Sequence, residues 1–111
     1  MSSPNTTGAL VLLQQYYEHL HGVYMKSASL KGLVCHTSRD DIANIGPDPM
    51  FGWGFLNALE AVITIADANT DGNAIIDELN LSQGAEYTLS FSSVAGDKIK
   101  ATVCWTDIAG L

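Results

Sequence analysis

Residues 1–17, MSSPNTTGALVLLQQYY, join a short polar start to a run that is apolar on almost every face of a helix. Ser3 and Pro4 suit a helix start, because serine caps helices well and proline is tolerated in the first turn. Gly22 suits the end of the same helix. A helix that is apolar all round is usually a buried one, so we expect its beginning to be enclosed on all sides. The rest of the sequence offers no obvious set of elements that could enclose it.

The composition indicates a folded, acidic chain that binds neither nucleic acid nor membranes. Hydrophobic residues make up 47% of it, which favours a packed core over disorder. The net charge is −7, and the 5 basic residues are scattered along the sequence. Such a pattern offers neither the basic patch that binds phosphate backbones nor the one that binds anionic lipid. The apolar run at 8–13 is far shorter than the ~20 residues needed to cross a bilayer.

The amino-terminal half is predicted to be helical throughout, apart from its loops. A second helix is expected over 26–36, where apolar side chains recur at helical spacing. Residues 46–49, GPDP, form a loop, because proline excludes helix and biases the residue before it toward extended backbone. Asn57, with Glu60 three residues later, matches an N-cap and its reciprocal partner. A third helix is therefore expected over 58–66.

The carboxyl-terminal part alternates between apolar and polar residues, which is typical of half-buried strands. The apolar members of its two alternating segments are Tyr87, Leu89, Phe91, Ile99, Ala101, Val103 and Trp105. A turn is expected between the segments at 95–97, AGD. The apolar stretch at 74–81 is a candidate for a third strand.

Two cysteines and two tryptophans are expected in the core. Cys35 and Cys104 are far apart and belong to no Cys-x-x-Cys or Cys/His ligand pattern. Because free cysteine is commonly a small buried hydrophobe, two unpaired buried thiols are favoured over a disulfide. Trp53 and Trp105 are expected to be core anchors rather than platforms for a ligand.

Three segments carry motifs that occur together in one protein family. MSSP at residues 1–4, followed by Gly8 and small apolar residues, matches the end of the motif Gly-Thr-Ser-Met-(Ala/Ser)-Ser-Pro. FGWGFLNA at 51–58 matches an aromatic-Gly-x-Gly-x-x-Asn-Ala segment, and VCWTD at 103–107 matches Val-x-Trp-Thr-Asp. Together they resemble the subtilisin-like serine proteases, the subtilase family. In that family the first motif holds the nucleophile, the second leads into the last helix of the catalytic domain, and the third is a strand of a following β-sandwich domain.

The resemblance implies an α/β fold: a subtilisin-like catalytic-domain fragment, here mostly helical, followed by the β-strands of a truncated β-sandwich. Residues 1–66 would be the carboxyl-terminal part of the catalytic domain, 67–78 a connector, and 79–111 the first strands of the sandwich. The resemblance also accounts for the apolar first helix. A subtilase packs the helix behind its nucleophile among a parallel sheet and other helices.

The resemblance further implies peptide-bond hydrolysis of peptide or protein substrates by a Ser-His-Asp triad. In this alignment the nucleophilic serine directly precedes Met1, and the other catalytic residues lie further upstream. None of the three histidines stands in the family's His-Gly-Thr context. We therefore expect an extracellular parent enzyme without a cofactor, and a fragment that is inactive alone and needs the rest of the catalytic domain for proper folding. The scaffold of the nucleophile helix then comprises Met1, Ser2, Ser3, Pro4 and Gly8.

Residues 67–78, DANTDGNAIIDE, also satisfy the EF-hand calcium-loop pattern, D-x-[DN]-x-[DN]-G followed by five residues and Glu. Oxygens at alternating positions can surround Ca²⁺, and the final Glu can chelate it with both oxygens. A small calcium-binding module is therefore the alternative to the protease fragment. An α+β domain with a structural or interaction role is a third interpretation. The candidate calcium ligands are Asp67, Asn69, Asp71, Asn73 and Glu78.

Overall fold

The described part of the chain consists of helices and loops, and local hydrogen bonds determine where some of the helices begin and end. The computed structural model describes residues 1–40, 43 and 45–107. Over this part of the chain, α1 and α2 each pack against α3, and no helix is long and apolar enough to cross a membrane. The helices are α1 (Ser2–His21), α2 (Ser27–Thr37) and α3 (Ala58–Asn69).

Two of the predicted helix ends are confirmed at the level of hydrogen bonds. Gly22 ends α1 in the left-handed conformation, with φ 73°, and donates its N–H to Glu18 O at 2.7 Å. Asn57 begins α3, and its Oδ1 accepts the N–H of Glu60 at 3.1 Å. The predicted cap at Ser3 is wrong, because Met1 is the N-cap of α1 and makes no side-chain capping bond.

The remaining boundaries differ slightly from those predicted. α2 begins and ends one residue later than the predicted 26–36. α3 continues past residue 66 to Asn69, so its last turn lies within the predicted connector, 67–78. The division into 1–66, 67–78 and 79–111 otherwise stays a prediction.

Asn57→Ala is expected to lower the free energy of unfolding by about 1 kcal/mol, because the N–H of Glu60 loses its acceptor. Asn57→Asp keeps an acceptor oxygen at the same position and should retain most of the stability. Urea denaturation followed by circular dichroism at the helical band measures both variants. An equal loss for alanine and aspartate would contradict the capping role.

The core lies where α1, α3, the middle of α2 and the residues just before α2 meet. Gln14 of α1 holds the backbone that leads into α2. Its Nε2 donates to Met25 O and its Oε1 accepts from Met25 N, both at 2.8 Å. This pair of bonds satisfies both backbone groups of a buried residue, which would otherwise be costly to remove from water. The buried apolar side chains of the described residues are Leu13, Met25, Leu33, Ala61 and Ile65.

The described residues do not enclose α1 on all sides. Leu13 is buried, but Val11 and Leu12 are 61% and 66% exposed. An open groove of about 680 Å³ runs beside the helix and is lined in part by Leu10, Val11 and Tyr24. The described residues therefore do not supply the elements that would enclose the beginning of α1, as the sequence led us to expect.

The predicted fold class, an α/β fragment followed by the strands of a truncated β-sandwich, is wrong, because the described chain is all-helical. The carboxyl-terminal tail, residues 79–107, is without β-strands, and so is the candidate strand at 74–81. Residues 108–111, the end of the predicted sandwich region, lie outside the described residues. Isolated antiparallel bridges occur earlier in the described chain, between Arg39 and Phe55 and between Asp48 and Gly52.

The predicted turn is present even though its flanking strands are not. Asp97 N donates to Val94 O at 3.1 Å, and Asp97 Oδ2 accepts the N–H of Val94 at 2.8 Å. Alternation does not suffice for a strand, because each strand needs the backbone of a neighbour and a layer that covers its apolar face. Without such a layer, Val103 and Trp105 remain 79% and 70% exposed.

The tail instead contacts α2 through the opposite, more polar face. Lys100 Nζ donates to His36 O at 2.5 Å, and Thr102 Oγ1 lies 2.9 Å from His36 Nδ1. The Cβ of Cys104 lies 3.2 Å from the point that a Cβ on Gly32 would occupy. The radius of gyration is 15.3 Å, above the ~13 Å typical of a compact domain of this length.

The residues expected as core anchors lie nearer the surface than predicted. Trp53 and Trp105 are both exposed. Cys35 is half-buried and Cys104 is exposed, and both thiols are free. The prediction that both thiols are buried is therefore wrong.

Candidate functional site

The predicted nucleophile scaffold forms the exposed start of α1. Met1 is the N-cap, and Ser2, Ser3, Pro4 and Gly8 follow it in the helix, all exposed. No side chain caps this end, and the first turn contains no acidic residue. The free N–H groups of a helix start carry partial positive charge and attract anions. The start of α1 therefore suits a position directly behind a developing negative charge.

The contacts of two histidines do not resemble those of a catalytic base. His21 Nδ1 lies 3.1 Å from Tyr17 O, and its ring stacks on the Tyr17 ring with 4.1 Å between centroids. His36 Nδ1 pairs with Thr102 Oγ1 at 2.9 Å. A triad histidine is oriented by a carboxylate and contacts the nucleophile. Both imidazoles are held by other partners.

In the aromatic-glycine segment before α3, the backbone requires a glycine at position 54. Its φ is 98°, which side chains rarely adopt, and a Cβ there would lie 2.4 Å from Arg39 O. This close approach permits an antiparallel bridge. Arg39 N donates to Phe55 O at 2.8 Å, and Phe55 N donates to Arg39 O at 2.9 Å. Asn57 caps α3 directly afterwards, so the segment carries the chain from the end of α2 into α3.

A polar cavity of about 300 Å³ lies between the end of α2 and the start of α3. Its lining includes His36, Arg39, Glu60 and Lys100. Burial and, to a smaller extent, the nearby Lys100 ammonium lower the pKa of His36. The imidazole is therefore mainly neutral at pH 7 and can both donate and accept a hydrogen bond. Sequence analysis missed this cavity, because its walls come from segments far apart in the chain and match no motif.

The predicted calcium loop turns sharply after α3. Asp67 and Asn69 lie in the last turn of that helix. Gly72 N donates to Asp67 O at 2.7 Å, and Asp71 adopts positive φ, 54°, next to it. Asn73 follows as an exposed residue. The backbone bond back to residue 67 gives this polar stretch the geometry of a helix-terminating turn, which its Asn, Asp and Gly residues favour.

The last predicted calcium ligand, Glu78, contacts another part of the molecule. Its Oε1 accepts the N–H of Lys26 at 2.7 Å, at the start of α2. A carboxylate is favourable there because of the partial positive charge at a helix start. Over the described residues, no group of three or more His, Cys, Asp or Glu side chains could hold a metal ion. Calcium binding by 67–78 stays a prediction, which calorimetric titration with Asp71→Ala as control would test.

The two catalytic-domain motifs of the subtilase resemblance lie on one packed helical unit. The first opens α1 and the second leads into α3, and these helices pack against each other. VCWTD at 103–107 belongs to the tail and not to a strand. Comparisons of the chain with protein families, curated proteins and solved structures found no match.

Proposed function

We propose that α1, α2 and α3 are the last helices of a subtilisin-like serine endopeptidase, with α1 directly behind the nucleophilic serine of the parent enzyme. The parent hydrolyses peptide bonds of peptide or protein substrates by an acyl-enzyme route, outside the cell. The chain by itself is inactive, because the triad histidine and aspartate motifs of the family are not in its sequence. The observation that carries the proposal is the apolar surface of α1 that this chain leaves uncovered.

That surface is unusual for a helix that already has a core-facing side. Val11 and Leu12 follow one another and point to different faces of α1, and both are mostly exposed. Full burial of a side chain of this size is worth roughly 1.5–3 kcal/mol. A helix with apolar side chains on several faces is usually buried, so exposed apolar groups on more than one face of α1 favour contact with further protein. The remainder of a catalytic domain, with its central sheet, would supply that contact.

The electrostatics of the same helix support its position behind a nucleophile. Acyl transfer by a serine creates negative charge on the carbonyl oxygen of the substrate, and preorganised dipoles aimed at that charge stabilise it. The start of α1 is uncapped by side chains and without an acidic residue. The partial positive charge of this helix start can therefore stabilise a negative charge that forms next to it.

The second motif supports the proposal through the structural roles of its fixed residues. Gly54 is required by its positive φ and by the close approach of Arg39 O. Asn57 is required as the cap of α3. Backbone constraints at the start of α3 therefore explain the glycine and the asparagine. The subtilase motif has the same two residue types just before the last helix of the catalytic domain.

A fluorophosphonate probe, which reacts with activated serines, tests the proposal. We expect no labelling of the purified chain, and stoichiometric labelling of a gene product in which Gly-Thr-Ser is encoded directly upstream of the Met1 codon. Ser2→Ala and Ser3→Ala serve as control variants in the longer product and should not reduce its labelling. A different tripeptide upstream would contradict the proposal. So would labelling of the 111-residue chain that either variant abolishes.

A further inference from the structure

The tail lies along α2 in a defined register. Lys100 and Thr102 contact His36 near the end of the helix, and Cys104 lies over Gly32, about one turn closer to its start. Every second residue of the tail therefore faces α2, and the tail runs antiparallel to the helix. The intervening residues, such as Val103, face away and are exposed.

This register brings the two cysteines of the chain to the same face of α2. Gly32 and Cys35 are three residues apart in the helix, so their Cβ positions are neighbours about 5–6 Å apart. Because the Cβ of Cys104 lies 3.2 Å from the Cβ position of Gly32, it is within about 9 Å of that of Cys35. A disulfide needs about 3.8 Å between Cβ atoms. The tail forms no ladder in the described chain, so a shift of a few ångströms breaks no sheet.

We propose that Cys35 and Cys104 are a disulfide-forming pair, and that an oxidising low-molecular-weight disulfide links them and clamps the tail to α2. The glycine at 32 is what permits the close approach, since a side chain there would press against Cys104. The proposal goes beyond the proposed function and does not depend on it, because it uses only α2 and the tail.

The two thiols differ in their surroundings and therefore in reactivity. Burial and, second, the charge of the Cys104 thiolate raise the pKa of Cys35. Because Cys104 is exposed and Cys35 is half-buried, Cys104 reacts first with the small disulfide, and Cys35 then attacks the mixed disulfide.

The reaction proceeds by two thiol–disulfide exchanges. The exposed Cys104 thiolate attacks one sulfur of oxidised glutathione, a mixed disulfide forms, and one glutathione thiolate leaves. The Cys35 thiolate then attacks Cys104 Sγ, the protein disulfide forms, and the second glutathione thiolate leaves. Two protein thiols are oxidised, one small disulfide is reduced to two thiols, and the two protons lost by the cysteines pass to the leaving thiolates.

The test equilibrates the full chain at low micromolar concentration with reduced and oxidised glutathione, blocks the remaining free thiols with N-ethylmaleimide, and then digests the chain with trypsin near neutral pH. Cleavage after Lys31, Arg39 and Lys100 places the cysteines on separate peptides, 32–39 and 101–111. We expect these peptides to be cross-linked within one monomeric chain. The ratio of glutathione forms at half-oxidation gives the effective concentration of one thiol at the other.

The matched control moves the second thiol to the neighbouring, outward-facing position in the double variant Val103→Cys/Cys104→Ser. The loop length is almost unchanged, so the entropy of closing it is the same. We expect an effective concentration at least ~10-fold lower than in the natural chain, and equal values for both chains in denaturing urea. Equal values without urea would overturn the proposal. So would products that are only intermolecular dimers or separate glutathione adducts on each cysteine.

Discussion

Replacing Ile65 by alanine is expected to lower the free energy of unfolding by about 2–5 kcal/mol. Ile65 is 0% exposed and lies on α3, against which α1 and α2 pack. Removing three carbon atoms there loses transfer free energy and leaves a cavity that all three helices border. Because small domains are stable by only about 5–15 kcal/mol, this one substitution should remove a large fraction of the stability and lower the urea midpoint of the helical circular dichroism signal by about 1–4 M.

The control for this prediction is Ile63→Ala on the same helix. Ile63 is 43% exposed, so its truncation removes less buried surface while the change in helix propensity is the same. We expect a loss of less than about 1 kcal/mol, partly offset because alanine favours helix more than isoleucine does. Equal losses for the two variants would show that α3 is not the shared centre of the core.

Replacing Gly54 by alanine is expected to lower the free energy of unfolding by about 3–5 kcal/mol. The new Cβ would overlap Arg39 O at 2.4 Å, and neither atom belongs to a side chain that can rotate away. The backbone must therefore move, which breaks both hydrogen bonds of the Arg39–Phe55 bridge, each worth about 1 kcal/mol. Residual overpacking and the positive φ together add about 1–3 kcal/mol.

The chain contains a matched control for this prediction in Gly46. Gly46 has the same φ, 98°, but no atom of the described residues lies within 4 Å of a Cβ built on it. Gly46→Ala therefore carries the backbone strain of about 1–3 kcal/mol without the collision. A urea midpoint that falls as far for residue 46 as for residue 54 would contradict the role assigned to the contact with Arg39.

The same substitution bears on the proposed function, because Gly54 belongs to the aromatic-glycine motif that resembles the subtilase segment. If the motif exists to bring the chain into α3, then Gly54→Ala should disturb the packing of α3 before it disturbs α1. Near-ultraviolet circular dichroism of Trp53, next to the bridge, and loss of the Asn57 cap by amide exchange at Glu60 report on this region.

Helix ends were predictable where a single residue type performs the local chemistry. Gly22 could be identified as a stop because a left-handed residue after a helix is usually glycine, and Asn57 as a start because its side chain accepts an N–H three residues ahead. The turn at 95–97 was predictable for the same reason, since Asp97 bonds to a backbone group three residues away. In each case the partners lie within one turn of each other in sequence.

The tail was wrongly predicted to form strands, because an alternating pattern describes the two faces of one strand and says nothing about the neighbouring strand that it must pair with. The pattern at 99–105 is that of a strand with one apolar face, but a strand also needs a second backbone beside it. The core of this chain offers no sheet to receive it, and the opposite face contacts α2 through Thr102 and Cys104. The partner of Glu78 was equally beyond reach of the sequence pattern, because its carboxylate accepts the N–H of Lys26 at the start of α2.

The amino-acid sequence by itself determined three helices, the helix ends at Gly22 and Asn57, and the turn at 95–97, because the hydrogen bonds of helices and turns join residues three or four positions apart. Only the tertiary structure decided which face of the tail contacts α2, where Glu78 binds, and which side of α1 stays uncovered. These features depend on contacts between residues tens of positions apart in sequence, such as Gly32 and Cys104. Such contacts are decided only when the helices pack around one small core.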